Sequence, residues 1–368
     1  VFSAIDHQHM AHALRVAERG LYTTAPNPRV GCVIAHGDQI VGSGWHQRAG
    51  EAHAEVLALH EAGDRARGAT AYVTLEPCAH HGRTPPCADA LVAADVARVV
   101  LAIEDPFPQV AGRGTARLRD AGITVEIGLL REQAHQLNRG FFSRIQRRRP
   151  WLRVKLAMSL DGRTALANGQ SQWITGAAAR ADVQRWRAQS SAILTGSGTA
   201  LADNPRLTVR VPDATPFQAP LRVLLDSDLR VSTVMHLLDA SAPTLVYHDA
   251  TPAQLLVAAA AGRSSVEYQQ VNRSDDGRLS LPALLRDLAV RDINELHVEA
   301  GPTLCGALIA AHLVDELLLY IAPCLLGDSA RPLLVLPQLQ TIGDRSTWHT
   351  LEQRQFGPDM RLLLRPNP

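Results

Sequence analysis

Lysine is nearly missing from this chain: of its 37 basic residues, every one except Lys155 is arginine. The codon usage of a genome rich in G and C accounts for such a bias. It also singles out Lys155, because a compact ammonium that can release its proton is not replaceable by a guanidinium. Net charge is equally scarce, with 36 acidic residues against those 37 and a balance of +1, which excludes a nucleic-acid binder held by charge alone. The five cysteines (Cys32, Cys78, Cys87, Cys305 and Cys324) are few, odd in number and scattered, so no disulfide framework is expected. Long apolar runs are lacking too. The most apolar stretch, Leu304 to Leu326, is interrupted by His312, Asp315, Glu316 and Pro323 and cannot span a bilayer. Val1 to Met10 carries Asp6, His7 and His9 and has no secretory apolar core. What remains is 46% hydrophobic and 20% charged over 368 residues, the profile of a globular, soluble, cytoplasmic protein of two domains.

The first half alternates short apolar strands with helices. Asp6 is the expected N-cap of a helix whose buried face is Met10, Ala13, Leu14 and Ala17. Val30 to Ala35 and Gln39 to Trp45 flank Gly37-Asp38 and read as a hairpin. A helix from His53 to Ala62 follows, then strand 69–75, helix 85–94, strand 97–103, helix 115–121 and strand 123–128. The interleaving indicates an α/β layer whose later strands run parallel. Around Asn138 to Pro150 the pattern breaks, and the run Arg147-Arg148-Arg149-Pro150 reads as a solvated linker. The boundary placed there gives domains of 1–148 and 149–368. Beyond it the alternation restarts with strand Trp151 to Met158, helix Ala177 to Gln189 and strand Ala192 to Thr195. Strands at 221–225, 244–247, 296–299 and 317–322 follow, and Met360 to Leu364 is expected to close the sheet.

The sharpest chemical signal is His53-Ala54-Glu55, then Glu76-Pro77-Cys78, then Pro86-Cys87. One imidazole and two thiolates form a three-ligand zinc set that leaves a fourth tetrahedral position for water; a structural zinc would want four protein ligands. Glu55, two residues past His53 on the same helix, can move a proton without ligating the metal. Cys87 falls in the first turn of a helix, where thiolate is favoured. Two cysteines nine positions apart can be mere small hydrophobes, but His-x-Glu with Pro-Cys in strand–helix context outweighs that reading. The implied chemistry is hydrolytic deamination of an aromatic heterocycle. The spacing departs from the deaminase signature H-x-E…P-C-x-x-C, since Ala79 to Pro86 separate the two cysteines.

That departure carries a resemblance. Thr74-Leu75-Glu76-Pro77-Cys78-Ala79-His80-His81-Gly82-Arg83-Thr84-Pro85-Pro86-Cys87 resembles the deaminase domain of the bifunctional deaminase/reductase family of riboflavin biosynthesis. Pro26-Asn27-Pro28-Arg29-Val30-Gly31-Cys32, Gly50-Glu51-Ala52-His53-Ala54-Glu55 and the string from Asp105 to Gly114 resemble it as well. The resemblance implies that His53, Cys78 and Cys87 hold Zn2+ and that Glu55 shuttles protons. It further implies a phosphorylated small substrate, 2,5-diamino-6-ribosylamino-4(3H)-pyrimidinone 5′-phosphate. Asn27, between two prolines, is then placed at the pyrimidine edge. His46, His80 and Arg83 are placed around the ribose phosphate. Cys32, in an apolar strand, is expected in the core.

In the second half, Thr195-Gly196-Ser197-Gly198-Thr199 after a strand is a weak dinucleotide signal, lacking a third glycine in register. His297-Val298-Glu299-Ala300-Gly301-Pro302-Thr303-Leu304 is stronger: strand, glycine turn, helix, with Glu299 at the strand end where ligands of open sheets bind. Lys155-Leu156-Ala157-Met158-Ser159-Leu160-Asp161-Gly162-Arg163, Ser171 to Thr175, Leu201 to Pro205 and Glu299 to Leu304 resemble the reductase domain of the same family. The implied fold is α/β throughout, a cytidine-deaminase-like zinc domain followed by a dihydrofolate-reductase-like domain. The implied cofactor is NADPH. In that reading the cofactor meets Ala157, Trp173, Thr199, Asp203, Ser227, Gly301, Pro302, Thr303, Leu304, Cys305, Gly306 and Ala307. The substrate meets Ser171, Arg187, Leu207, Arg210 and Glu299, with Arg187 and Arg210 suited to a ribose 5-phosphate. Alternation along the strand puts Lys155 on the Ala157 face, where it is expected to act as a proton donor paired with Glu299 or Asp161.

Two other classes compete. A deaminase of tRNA or nucleosides predicts a basic face, yet each half is near charge balance. A zinc-stabilised binding module has no need of Glu55 beside an open metal position. The expected partners are therefore small phosphorylated pyrimidines, with no nucleic acid, no membrane and a possible homo-oligomer, dimer or tetramer.

Overall fold

The computed structural model describes residues 1–79, 86–108, 110–211, 216–261 and 265–367. The chain divides into two compact units, Val1–Arg148 and Arg149–Pro368. In the first, the elements are α1 (Ala4–Ala17), β1 (Gly31–His36), β2 (Gln39–Trp45), α2 (Ala54–Ala62), β3 (Thr70–Val73), α3 (Cys87–Ala93), β4 (Arg98–Leu101), α4 (Arg113–Asp120), β5 (Thr124–Ile127), α5 (Arg131–Leu137) and α6 (Arg139–Arg147). The sheet order is β2-β1-β3-β4-β5. β1 runs antiparallel to both neighbours, and β3, β4 and β5 are parallel. Met10, Ala13, Leu14 and Ala17 are buried as the helical spacing requires.

Two details correct the sequence reading. Ser3, not Asp6, caps α1: the Ser3 hydroxyl accepts from the Asp6 amide while the Asp6 carboxylate accepts from the Ser3 amide, a reciprocal box that makes Asp6 the third helical residue. The expected linker around residue 138 is helical through Arg147, because Phe141 and Phe142 within it are buried. Nor is Arg149 solvated, since its fork grips Asp315 at 2.8 Å through two nitrogens.

Small residues set the position of α2. A Cβ at Gly42 or Gly44 of β2 would lie 2.3 Å from the Ala58 carbonyl oxygen or 2.4 Å from that of Ala54. The helix therefore rests directly on the strand, and its first turn is fixed above the sheet.

The second unit comprises β6 (Trp151–Ser159), β7 (Arg163–Ala165), α7 (Ala177–Gln189), β8 (Ala192–Gly196), α8 (Ser197–Asp203), β9 (Leu221–Leu225), β10 (Thr244–His248), α9 (Pro252–Ala261), β11 (Val266–Gln270), α10 (Leu281–Val290), β12 (Glu295–Val298), α11 (Pro302–Ala310), β13 (Glu316–Ala322), β14 (Arg331–Pro332), β15 (Trp348–Phe356) and β16 (Asp359–Pro366). Nine strands form one sheet in the order β11-β10-β9-β8-β12-β6-β13-β16-β15. The seven from β11 to β13 are parallel and the last two antiparallel. Strands covered on both faces read as continuous apolar runs: Leu152, Val154 and Leu194 join one core cluster, and Ile193, Leu224 and Val246 another. The expected closing strand is present as β16, but β15 lies outside it at the sheet edge. Most of β15 is exposed and polar, so it carries no apolar signal. β6 sits between β12 and β13, and the C-terminal ends of β6, β8 and β12 lie side by side, the place where open parallel sheets bind ligands.

Candidate active sites

In the first unit, His53 is the N-cap of α2, with extended backbone, and Cys87 is the first residue of α3. Cys78 follows β3. The His53 Nδ1 lies 3.2 Å from the Cys87 Sγ and 3.6 Å from the Cys78 Sγ, and all three donor atoms fall within 4.8 Å of one another. Tetrahedral zinc holding nitrogen and thiolate ligands needs spacings of about 3.5–3.8 Å, so the donor set fits that ion in both chemistry and size. The hydrogen bond from the Cys87 thiol, with the Cys87 amide and His53 beside it, pulls Cys78 down to about 4, whereas the same bond and burial push Cys87 up. Cys32 is buried in β1, as its apolar setting requires.

Glu55, one residue into α2, is 3% exposed, and burial lifts its carboxyl to about 7 despite the opposing pull of His53. Asp105, buried after β4, is likewise raised by burial, to about 6. Asn27 meets His46, its Nδ2 lying 3.0 Å from the His46 Nε2. His46 is not an exposed loop residue. It is 3% exposed, its Nδ1 lies 3.2 Å from the Ala52 carbonyl oxygen, and its ring packs edge-on to His53. Burial lowers its pKa, so it supports Asn27 and His53 instead of offering a cation. His80 and Arg83 lie outside the described residues.

Sequence reasoning left Glu76 without a role, although it stands in the Glu-Pro-Cys string. Its buried carboxylate accepts from the amides of Asp105 (3.3 Å), Gly112 (3.0 Å) and Thr115 (2.9 Å). One side chain thereby ties the Cys78 segment to the start of α4. Gly114 completes the seat, since a Cβ there would lie 1.9 Å from the Pro77 carbonyl oxygen.

In the second unit a cavity of about 630 Å³ opens at the C-terminal strand ends. Lys155, Ala157, Ser171, Trp173, Arg187, Thr199, Asp203, Leu207, Arg210, Glu299, Gly301 and Pro302, all singled out from the sequence, line it. Gly301 is the N-cap of α11 with ordinary negative φ, and a Cβ there would have only the Thr199 hydroxyl near it, at 3.6 Å. Its lack of a side chain keeps the cradle open. Other expected contacts lie elsewhere. Helical geometry turns Cys305 and Gly306 inward: Cys305 is fully buried, and a Cβ on Gly306 would strike the Val335 carbonyl oxygen at 1.9 Å. Leu304 packs on the core and Thr303 is exposed. Ser227 and Ala307 are half-buried and off the cavity lining.

Arg187, expected at the substrate, spends three of its five N–H groups on the protein itself. It grips Glu299 at 2.5 and 2.8 Å and donates its remaining fork nitrogen to the Thr208 carbonyl at 2.9 Å. Burial would raise Glu299, but the Arg187 charge and hydrogen bonds, with His297 Nε2 at 3.3 Å, hold it well below its usual range. Neither expected partner of Lys155 is in contact with it, although the Glu299 charge acts on its ammonium from farther off. Glu299 belongs to Arg187, and Asp161 turns to the Leu326 and Gly327 amides. Among the described residues Lys155 makes no ion pair; its Nζ stands 5.8 Å from the centre of the Tyr320 ring, and burial lowers its pKa.

A zinc-type donor set beside a buried carboxyl, and a separate parallel-sheet cradle for a nucleotide, define a two-unit deaminase and reductase. Residues 3–103 match the zinc-binding region of cytidine and deoxycytidylate deaminases, and residues 150–362 match the RibD C-terminal domain. The chain is 50% identical to the riboflavin biosynthesis protein RibD of Escherichia coli (strain K12), over 98% of its own length and 99% of the relative's. With RibD of Bacillus amyloliquefaciens the identity is 41%, covering 98% and 96%. The solved structure of Acinetobacter baumannii RibD superposes with a TM-score of 0.91 at 43% identity, covering 99% of both chains. A Thermotoga maritima structure described as a diaminohydroxyphosphoribosylaminopyrimidine deaminase/5-amino-6-(5-phosphoribosylamino)uracil reductase superposes at 0.86 with 30% identity over 99% of both. The chain belongs to the RibD family of bifunctional riboflavin-biosynthesis enzymes.

Replacing Glu76 with alanine leaves the buried amides of Asp105 and Thr115 without an acceptor, at a cost of about 1–3 kcal/mol each, and frees the more exposed amide of Gly112. The thermal midpoint of Glu76→Ala should fall well below the parent's, with Glu76→Gln between them because its carbonyl oxygen still accepts. Equal midpoints for all three proteins contradict the anchor.

Proposed function

We propose that residues 1–148 deaminate 2,5-diamino-6-ribosylamino-4(3H)-pyrimidinone 5′-phosphate at its 2-amino group. In this reading residues 149–368 then reduce 5-amino-6-(5-phosphoribosylamino)uracil with NADPH to the ribitylamino product. Membership of the RibD family and the His53–Cys78–Cys87 donor set beside buried Glu55 carry the reading.

Zinc held by His53, Cys78 and Cys87 supplies a Lewis acid with one position open to solvent. The residues of the chain do the rest. Asn27, fixed by His46, offers its amide to the pyrimidine edge. Glu55, with a carboxyl that exchanges its proton near neutrality, takes a proton from water as the oxygen bonds to C2. It returns protons to the ring nitrogen and then to the departing amine, which leaves as ammonia. Its burial is what tunes it for both directions of transfer. His80 and Arg83 remain proposed contacts of the ribose phosphate.

In the second unit NADPH supplies a hydride. Gly301 and Pro302, with Thr199, Asp203, Trp173 and Ala157, form its cradle, and Ser171, Leu207 and Arg210 take the substrate. Arg210 faces the 5-phosphate, while Arg187 holds Glu299 in place. Opening of the sugar ring at C1′ leaves an imine-like carbon that accepts the hydride, and Lys155, an ammonium whose burial eases loss of its proton, protonates the sugar oxygen. Assembly as a dimer or tetramer is proposed on the exposed apolar run Val335, Leu336, Leu339 and Ile342. A cytoplasmic site of action fits the five unbridged thiols.

Glu55→Gln should keep its zinc, because Glu55 is not a ligand, and lose ammonia release by about 10²–10⁴-fold; metal analysis and an ammonia assay read the two separately. Loss of zinc in that variant makes Glu55 a ligand and sinks its assignment as proton shuttle. Lys155→Arg keeps the charge but not the proton lability. Reductase turnover should drop at least about tenfold, roughly 1.4 kcal/mol of barrier, with zinc content intact. Parental turnover in Lys155→Arg removes the lysine from the chemistry.

A further inference from the structure

Five guanidinium groups line the reductase-type cavity: Arg180, Arg187, Arg206, Arg210 and Arg331. Three have work. Arg187 is closed on Glu299 and Thr208. Arg180 lies over the Trp173 ring at 4.5 Å and donates to the Thr175 carbonyl at 2.6 Å. Arg206 stands 3.7 Å from Asp239. Among the described residues, Arg210 and Arg331 make no side-chain hydrogen bond or ion pair, and Arg210 already faces the substrate in the reading above. Arg331 is a cation at the cavity wall without a counter-charge in contact and without a role.

Its backbone, in contrast, is firmly held. Arg331 pairs with Ala165 of β7. The Thr164 hydroxyl donates to the Pro332 carbonyl at 3.3 Å, and the Leu333 amide to the Gly162 carbonyl at 3.0 Å. Farther on, the Val335 amide donates to the Pro302 carbonyl at 3.2 Å, and Gly306 of α11 abuts the Val335 carbonyl. The segment is thus a strap from β7 to the start of α11, at the glycine turn. Alternation along an extended chain puts residues 331 and 333 on one side, and these two line the cavity while Pro332 does not. Asp203 lies across from it, its carboxyl raised by burial and opposed by the Arg331 charge. A fixed backbone that holds an exposed planar fork, unpaired with any described protein group, at the wall of a ligand cavity is an arrangement suited to binding oxyanions in bidentate fashion.

We propose that Arg331 binds a phosphoryl group of a ligand in this cavity. The proposal rests on the reading that the cavity takes a phosphorylated dinucleotide and a phosphorylated sugar substrate. Three phosphoryl groups share this chemistry: the dinucleotide pyrophosphate, its 2′-phosphate and the substrate 5-phosphate.

The test compares the parent with Arg331→Gln and Arg331→Lys in the full-length chain. Fluorescence titration without substrate measures the Kd of NADPH and of NADH, and steady-state assays at saturating NADPH measure the substrate KM. Loss of a charge-assisted contact should weaken one ligand at least about tenfold, or 1.4 kcal/mol, with Arg331→Lys intermediate. A weaker Kd for both nucleotides assigns the pyrophosphate. A change for NADPH alone assigns the 2′-phosphate, and a higher KM alone assigns the substrate. The Arg331 side chain takes no part in the β7–β14 bonds, so the thermal midpoint should match the parent's. Unchanged Kd and KM in Arg331→Gln, with the parent binding NADPH normally, overturns the role of Arg331. A parent that binds no NADPH overturns the reading of the cavity and this proposal with it.

Discussion

Burying an ionised group costs several kcal/mol unless a partner meets it, and this constraint separates scaffold from chemistry in both units. Glu76 is met by three amides, and Arg187 and Glu299 by each other and by Thr208. Arg153, fully buried in β6, is met by Glu316 and Glu295. These groups are paired and hold parts together: the Cys78 segment to α4, α7 to the end of β12, β6 to β12 and β13. Glu55 and Lys155 are buried differently. Burial shifts each toward its neutral form, upward for the acid, to about 7, and downward for the base.

The two sites reach this condition by unlike routes. In the first, small residues let α2 settle onto β2, so that His53 and Glu55, both at the first turn of that helix, stand by the thiols that follow β3 and open α3. In the second, the site forms where neighbouring parallel strands end together. β6 brings Lys155 and Ala157, the β8–α8 turn brings Thr199, and the β12–α11 turn brings Glu299 and Gly301. The cavity is lined from segments between residues 155 and 333, so its assembly depends on the whole second sheet being in register.

That difference explains what the sequence made legible. The zinc donor set and Glu55 lie within 35 residues, from 53 to 87, on motifs with known chemistry. Helix α7 and strand β9 were readable to the residue. By contrast, Arg187 and Glu299 are 112 positions apart, and nothing in spacing tells that the two close on each other. β15 is polar at an edge and shows no apolar pattern, whereas α6 packs Phe141, Phe142 and Ile145 on one face and was hidden by the arginine run that closes it. Glu76 was visible but mute, because an acid before Pro-Cys does not announce that backbone amides from 29 to 39 residues away will close on it. Arg331 depends on a strap whose partners lie in β7 and at the head of α11.

One chain carries two chemistries with separate requirements, zinc in the first unit and NADPH in the second. The most direct measurement removes the metal with a chelator and follows two reactions in parallel: ammonia release from the diaminopyrimidine phosphate, and NADPH oxidation on the deaminated substrate. Ammonia release should vanish and return with added zinc, while NADPH oxidation continues throughout. Deamination by the metal-free protein, or loss of both reactions together, contradicts the account.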